Sequence, residues 1–258
     1  MSIKRALLSA AAGFGLTAGL ATAAIAEEIT IATVNNADMI TMQELAPEWE
    51  KATGNSINWV VLEENVLRQR TTQDIATNGG SFDIMFIGAY ETPIWGANGW
   101  LTSLNDFADD ADYDLNDIFQ LVRNGLSANG NLYAVPLYSE TSFTFYRTDV
   151  FKAAGIEMPS EQMTYTEFAQ LAAAVHDPDN GMYGTCQRGK AGWGENMAFV
   201  GTLANAFGAR WFDESWNPQL DSPEWNAAVT YYVDLMLNSG PPGASANGHN
   251  ENRALFKD

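Results

Sequence analysis

Three short apolar segments that alternate with helical patterns constrain the fold most strongly. Residues 28–34 (EITIATV), 57–62 (INWVVL) and 82–87 (FDIMFI) have the β-branched and apolar character of strands, and amphipathic segments separate them. A strand–helix–strand–helix–strand order predicts a parallel sheet covered by helices. We therefore expect an α/β fold in which Asp38 caps the first helix and both faces of the third strand are covered.

The loops after these strands are the expected place for a ligand, because ligands of open α/β sheets bind outside the carboxyl ends of the strands. The three loops are residues 35–38, 63–65 and 88–92. They make Asn36, Glu64 and Tyr90 candidate ligand-binding residues. The alternative for Glu64 is a solvated surface position, and only its place at a strand end favours a role in binding.

The pattern changes near residues 136–140 and then restarts as a second unit. Strands are predicted at 142–146 and 183–187, and helices at 149–154, 166–175, 196–207 and 222–238. We expect an N-terminal α/β lobe over residues 27–135, a hinge or crossover at 136–140, and a second α/β lobe over 141–258. An amphipathic segment begins near residue 250, and the sequence stops within it. The second lobe is therefore expected to be incomplete.

The first 26 residues have the features of a secretory signal peptide. Lys4 and Arg5 precede an uncharged run that is rich in Ala, Gly and Leu, and residues 24–26 (AIA) fit the small–x–small cleavage rule. Export to the periplasm is therefore predicted. The alternative is an uncleaved membrane anchor, which the weakly apolar character of the run disfavours.

Charge and composition exclude several classes of function. The net charge is −19, and it is more negative still without the leader, which carries Lys4 and Arg5 and no acid. Such a chain repels phosphate backbones and anionic lipids, so nucleic-acid and membrane-surface partners are not expected. With only two histidines and one cysteine, no metal site is predicted, and no cofactor is expected.

Aromatic and polar residues at loop positions are the remaining functional signal. Trp193 lies in a loop punctuated by glycines, residues 188–194 (RGKAGWG), with little core character. Aromatic faces pack on the C–H groups of a sugar or polyol, while carboxylate, guanidinium and amide groups satisfy its hydroxyls. For each tryptophan the alternative is an ordinary core position. No catalytic residue is predicted. The candidate ligand-binding residues are Asn36, Glu64, Tyr90, Glu140, Arg188, Trp193, Asn196, Trp211 and Asp213.

Four longer segments carry a family resemblance. They are residues 62–70 (LEENVLRQR), 82–95 (FDIMFIGAYETPIW), 136–151 (PLYSETSFTFYRTDVF) and 186–199 (CQRGKAGWGENMAF). Together they resemble the solute-binding proteins of ABC sugar importers, and within these the sorbitol/mannitol (polyol) group. The resemblance implies a two-lobe periplasmic binding protein fold of type II character. It also implies a monomer without catalytic activity that closes over one polyol or monosaccharide and docks on an ABC permease.

The same resemblance places six of the candidate residues in segments that usually line the cleft. These are Glu64, Tyr90, Glu140, Arg188, Trp193 and Asp213. Members of the family are longer than this chain, in agreement with an incomplete second lobe.

Two other functions are compatible with the residues alone. Carboxylates with tryptophans also describe a secreted glycoside hydrolase, which needs two carboxylates about 5–10 Å apart across the scissile bond. The same two-lobe scaffold could instead bind an amino acid or another small solute, because a fold does not fix a function.

Overall fold

The structure, a computed structural model, describes residues 26–257. The predicted signal peptide lies outside this range except for Ala26. The strands are β1 (Glu28–Val34), β2 (Ser56–Leu62), β3 (Ile84–Met85), β4 (Ser127–Ala128) and β5 (Asn131–Leu132). The α-helices are α1 (Ala37–Thr53), α2 (Glu64–Thr77), α3 (Glu91–Ala97), α4 (Asn105–Ala108), α5 (Gln120–Gly125), α6 (Thr148–Ala154), α7 (Tyr165–Ala174), α8 (Asn196–Ala206), α9 (Pro223–Ser239) and α10 (His249–Lys257). Within residues 26–257, no helix combines the length and the apolar character needed to cross a membrane.

A parallel three-stranded sheet organises the N-terminal part of the chain, which we define as residues 27–135. β1 is the central strand, in the order β2–β1–β3. It pairs with β2 along its whole length and with β3 through Ile31 and Ala32. Helices α1 and α2 connect the strands, and Leu67 of α2 is fully buried against the sheet. The predicted order of strands and helices is confirmed, and so is the α/β class.

Helix α1 begins two residues earlier than a cap at Asp38 predicts. The side chain of Asn36 accepts a hydrogen bond from the backbone N–H of Met39 at 2.9 Å, which makes Asn36 the N-cap. Asp38 lies in the first turn instead, where the positive end of the helix dipole stabilises its carboxylate. Gly54, with φ +77°, ends the helix in the left-handed conformation that suits glycine.

The third predicted strand is shorter and more exposed than its apolar run suggests. Only Ile84–Met85 form β3, although the backbone N–H groups of Asp83 and Phe86 also donate to β1. Ile84 is 52% exposed. The expectation that both faces of this strand are covered is therefore wrong.

Two strands predicted in the C-terminal part, which we define as residues 141–257, are not formed. Residues 142–146 join no sheet within the described residues, and Phe143 and Phe145 are 75% and 77% exposed there. Residues 183–187 bond to a helix instead, because the backbone N–H of Thr185 donates to the carbonyl oxygen of Ser239 at the end of α9. A strand needs a neighbouring strand, and neither segment has one in residues 26–257.

Helices α8 and α9 form the core of the C-terminal part. The predicted cap is confirmed: the Ser222 side chain accepts from the backbone N–H of Trp225, with Pro223 as the first helical residue. The indole N–H of Trp225 donates to the carbonyl oxygen of Arg210 at 2.7 Å, which satisfies its one polar group inside the core. The buried cluster consists of Val200, Leu203, Ala204, Ala209, Trp225, Ala228 and Tyr232.

Replacement of a leucine in this core tests the packing. Leu203 is fully buried in α8, whereas Leu237 in α9 is 77% exposed. We expect Leu203→Ala to lower the free energy of unfolding by about 2–5 kcal/mol, because it removes buried methyl groups and leaves a cavity. Leu237→Ala should change it by about 0.5 kcal/mol or less. Urea denaturation followed by circular dichroism measures both, and equal losses would contradict the packing described here.

Candidate functional site

The carboxyl edge of the parallel sheet carries polar side chains that also cap helices. β1 ends at Val34 and Asn36 caps α1, while β2 ends at Leu62 and Glu63 caps α2. The carboxylate of Glu63 accepts from the backbone N–H groups of the first turn of α2. Because the strands are parallel, these two helix starts lie at the same edge of the sheet.

Tyr138, from the segment between the two parts, covers this edge. Its hydroxyl accepts a hydrogen bond from the Asn36 side-chain amide at 2.9 Å, and its ring centroid lies 5.6 Å from that of Phe86. Burial raises the pKa of Tyr138, and the nearby carboxylates of Glu140 and Glu64 act in the same direction. Tyr138 is therefore a neutral phenol whose hydroxyl remains a hydrogen-bonding group at physiological pH.

Arg68 is the charged centre of the edge. Its Nε donates to Glu64 Oε1 at 2.7 Å, and its Nη1 donates to the carbonyl oxygen of Phe86 at 3.1 Å and lies 3.5 Å from Glu91 Oε1. Glu91 is buried and also accepts from the backbone N–H of Gly88 at 2.9 Å. A buried guanidinium with two carboxylates and a carbonyl oxygen as partners has its charge and its hydrogen-bond donors well satisfied.

Arg188 and Asn196 shape the glycine loop, which we define as residues 188–194. The guanidinium of Arg188 donates to the carbonyl oxygen of Gly194 at 2.7 Å, across the loop. The side-chain oxygen of Asn196 accepts from the backbone N–H of Gly192 at 3.1 Å. Tyr232 anchors the start of the loop to the core, because its hydroxyl donates to the carbonyl oxygen of Arg188 at 2.6 Å.

The glycine loop touches the sheet edge of the N-terminal part. The ring of Trp193 lies over the guanidinium of Arg68, with the Cζ atom 4.5 Å from the ring centroid. Lys190 Nζ lies 2.5 Å from Glu63 Oε1, and this pairing lowers the pKa of Glu63 and raises that of Lys190. The Asn65 side-chain amide donates to the carbonyl oxygen of Ala191 at 3.1 Å. Residues more than a hundred positions apart in the sequence thus meet at one place, which we call the crevice and define by these contacts between the glycine loop and the sheet edge.

His249 joins the same crevice and was not predicted. Its Nδ1 accepts from Arg188 at 3.1 Å, and its backbone N–H donates to the carboxylate of Glu195 at 3.0 Å. Next to it, the Asn250 side chain donates to the carbonyl oxygen of Asn35. Burial lowers the pKa of His249, and the Arg188 cation lowers it further. No motif surrounds His249, so only the tertiary contacts reveal it.

The predicted site residues divide into two groups. Those that form contacts at the crevice or within its glycine loop are Asn36, Glu64, Arg188, Trp193 and Asn196. The carboxylate of Glu140 lies close enough to Tyr138 to raise the pKa of its hydroxyl. For Tyr90, Trp211 and Asp213, membership of the site stays a prediction. Tyr90 is 64% exposed at the start of α3, and Trp211 packs edge-on against Trp225. Asp213 accepts hydrogen bonds from Ser215 and Asn217 within its own turn.

The crevice combines aromatic rings with hydrogen-bonding groups of both kinds. Trp193 and Tyr138 offer ring surface, while carboxylates accept and guanidinium and amide groups donate. Such a set of groups can bind a neutral molecule with many hydroxyls. Within residues 26–257, no group of three or more His, Cys, Asp and Glu side chains has the arrangement of a metal site.

Comparison with known proteins identifies the family to which the chain is similar. Residues 34–258 match the family model of the bacterial extracellular solute-binding proteins. The chain is 57% identical over 232 residues to the mannitol-binding protein of Pseudomonas aeruginosa, a match that covers 90% of this chain and 52% of that protein. It is 27% identical over 166 residues to the erythritol/L-threitol-binding protein of Mycolicibacterium smegmatis, covering 58% of this chain and 34% of that protein.

Solved structures are similar over nearly the same residues. An ABC transporter solute-binding protein from Agrobacterium vitis with bound D-mannitol superimposes with a TM-score of 0.85 at 54% identity, covering 90% of this chain and 56% of that chain. One from Agrobacterium radiobacter in complex with ribitol gives 0.76 at 26% identity, covering 89% and 57%. The present chain thus spans about half the length of the mannitol-binding protein that it matches.

The protonation of His249 tests the geometry of the crevice. We expect its pKa to lie below the ordinary value of about 6.5, and Arg188→Gln to raise it, because a neighbouring cation opposes the imidazolium form. The carboxylates of Glu140 and Glu195 raise the pKa of His249, and Arg253 lowers it as Arg188 does. The net shift remains downward because burial is the largest effect. An NMR pH titration measures the value, with His176→Asn to assign the signals. A pKa of 6.5 or above would contradict the buried position.

Proposed function

The chain belongs to the family of bacterial extracellular solute-binding proteins, and from that premise we propose that it forms the ligand cleft of an ABC importer's binding component. The proposed ligand is a polyol, with D-mannitol in first place. A protein of this family acts in the periplasm or outside the cell. We propose the periplasm, reached through a cleaved signal peptide over residues 1–26, and delivery of the ligand to a membrane permease by a monomer.

One observation carries this proposal: the ring of Trp193 in the glycine loop lies over Arg68, which is itself paired with Glu64 at the sheet edge. An aromatic ring and a fixed ion pair from distant parts of the sequence thus border the same crevice. The ring supplies a surface for C–H groups, and the carboxylate of Glu64 accepts strong hydrogen bonds from hydroxyls.

A polyol suits the polar groups at this edge better than a charged solute does. Each hydroxyl both donates and accepts, so it can pair with a carboxylate on one side and an amide or guanidinium on the other. An anion would meet the field of a chain with net charge −19 and the carboxylates of Glu64, Glu91 and Glu140. The same carboxylates can accept hydrogen bonds from neutral hydroxyl groups.

Two relatives support the choice of ligand. The mannitol-binding protein of Pseudomonas aeruginosa is 57% identical to this chain. The Agrobacterium vitis protein, whose structure holds D-mannitol, is 54% identical. These levels of identity extend over 90% of the present chain in both comparisons, which favours D-mannitol over the ribitol of the more distant neighbour at 26% identity.

We assign the direct ligand contacts to the groups around Tyr138 and the glycine loop. Asn36, Glu64, Glu140 and Trp193 are proposed to bind the ligand, together with Tyr138. Arg188 and Asn196 are proposed to act mainly by holding the glycine loop in shape. The residues proposed to line the outer part of the cleft are Tyr90, Trp211 and Asp213.

The N-terminal and C-terminal parts are proposed to be two lobes joined at residues 136–140. The contact between Asn36 and Tyr138 lies at this connection, so a hinge there would carry the ligand-facing tyrosine with it. Closure of such lobes would bury the ligand and exclude water from its hydrogen bonds.

A glycoside hydrolase is the weaker alternative. That chemistry needs one carboxyl group as an acid and a second as a nucleophile or base. Glu64 is instead paired with Arg68 at 2.7 Å, so one of its carboxylate oxygens is already engaged as a hydrogen-bond acceptor. We therefore propose a binding protein without catalytic activity.

Calorimetric titration of the complete protein tests the ligand class. We expect D-mannitol to bind at one site per chain, and D-gluconate, an acyclic relative with a carboxylate, to bind at least about tenfold more weakly because of repulsion from the cleft carboxylates. Absence of binding by D-mannitol, D-sorbitol and ribitol would refute the proposed ligand class. Release of reducing sugar from an oligosaccharide would favour the hydrolase.

Tyr138→Phe connects that titration to the cleft. Loss of the hydroxyl leaves the Asn36 amide without its partner, so we expect the Kd for D-mannitol to rise about two- to tenfold. Tyr113→Phe is the matched control, because Tyr113 packs against Phe107 in the acidic segment. An unchanged Kd for Tyr138→Phe would remove Tyr138 from the site.

A further inference from the structure

The backbone of the glycine loop approaches the first turns of α2 too closely for side chains. A Cβ atom on Gly194 would lie 2.8 Å from Glu64 Oε1, and one on Gly192 would overlap the side chain of Asn65. A Cβ on Gly88 would likewise meet the ring of Trp193, 2.5 Å from its Cη2 atom. Glycines on both sides of the crevice thus allow the two surfaces to fit closely.

Arg68 lies at the centre of this contact. Its bonds to Glu64 and to the carbonyl oxygen of Phe86 fix the guanidinium plane, and both are contacts within the N-terminal part. The ring of Trp193 comes from the C-terminal part and lies over that plane at 4.5 Å. A fixed cation beneath an indole ring is a strong form of the cation–π interaction, because Arg68 is mostly shielded from water.

We propose that Arg68 is a positioning residue that docks Trp193 and thereby holds the ligand cleft closed. This inference rests on the proposed function, and it adds a residue that does not itself touch the ligand. Arg68 acts through Glu64, which it orients, and through Trp193. Trp193 is 43% exposed, so part of its surface remains available to a ligand. The ion pair of Lys190 with Glu63 flanks the contact and is partly exposed, so it contributes less.

The docking has a specific kinetic consequence. The Arg68–Trp193 contact joins the two parts, so it exists only while they are together. It therefore stabilises the closed state and slows opening, which must precede release of a buried ligand. Entry into the open cleft does not involve the contact, so the association rate should stay nearly constant.

A purely structural role for Arg68 makes a different prediction. In that case Arg68 would only neutralise Glu64 and Glu91 inside the N-terminal part. Its loss would lower the stability of the ligand-free protein, and the effect on ligand release would not depend on Trp193. A double-mutant cycle between Arg68 and Trp193 separates the two roles.

The experiment uses the complete protein and D-mannitol, with stopped-flow measurement of association and dissociation. We expect Arg68→Gln to raise the dissociation rate about 5- to 30-fold, in line with the loss of a desolvated cation–π contact. The association rate should stay within about twofold. In the double variant with Trp193→Leu, the dissociation rate should not exceed that of the more affected single variant by more than about twofold.

Arg70→Gln is the matched control. Arg70 lies on the same helix and over an aromatic ring, that of Phe82 at 5.7 Å, but both residues belong to the N-terminal part. D-mannitol should dissociate from the Arg70→Gln variant at the same rate as from the unchanged protein. If Arg68→Gln does not fold, Arg68→Lys keeps the charge but lacks the planar fork that fixes the cation beneath the ring, and a smaller increase that disappears in combination with Trp193→Leu is expected.

Two outcomes would overturn the proposal and remain distinct from failure of the proposed function. The unchanged protein could bind D-mannitol while the Arg68 variants release it at the unchanged rate. Alternatively, the effects of the Arg68 and Trp193 variants could multiply independently. If the unchanged protein binds no polyol at all, it is the proposed ligand class that fails.

Discussion

The guanidinium of Arg68 is the interaction on which the candidate site depends. It lies between the carboxylates of Glu64 and Glu91 and beneath the ring of Trp193. Without it, both carboxylates would lose their shared counter-charge in a largely buried place, in a chain that already carries an excess of negative charge. With it, Glu64 has a fixed orientation and the glycine loop has a surface on which to dock.

The parallel sheet provides the geometry for this arrangement. Because β1 and β2 run in the same direction with an unbroken register, the starts of α1 and α2 lie at one edge. Asn36 and Glu63 are consumed partly as helix caps, yet both retain contacts that reach beyond their own helix, to Tyr138 and Lys190. Secondary structure and site are therefore built from the same side chains.

The glycines of the crevice have a role that their φ angles alone do not reveal. Gly88 and Gly194 lie where a side chain would strike Trp193 or Glu64. The closeness of the two surfaces thus depends on missing Cβ atoms on both sides. This gives a physical reason why an aromatic ring and several glycines occur together in residues 188–194. Such a combination would contribute little to the packing of an ordinary hydrophobic core.

Local pattern was sufficient for the elements whose partners are close in sequence. The strands at Glu28–Val34 and Ser56–Leu62 and the capped helix after Ser222 follow from apolar alternation and capping residues. The segments 142–146 and 183–187 have similar local character but form no strand. Pairing depends on a second strand elsewhere, which local sequence does not encode.

Candidate site residues were predictable where their position in the fold suggests a role in binding. Asn36 and Glu64 follow from the rule for strand ends, and Trp193 from its glycine-rich surroundings. Arg68 was missed, although its spacing from Glu64 is that of a helical ion pair, because such pairs are usually solvated surface features. His249 gave no local signal, since its place in the crevice arises from contacts with Arg188 and Glu195.

A crystal structure of the complete protein with D-mannitol would locate the ligand relative to Trp193 and Arg68. We expect one ligand molecule between the sheet edge and the glycine loop, with C–H groups about 4 Å from the ring of Trp193 and hydroxyls bonded to Glu64 and Tyr138. Arg68 should lie against the opposite face of that ring. A ligand bound away from this crevice would contradict the proposed binding site, and separation of Trp193 from Arg68 in the bound state would contradict the proposed docking.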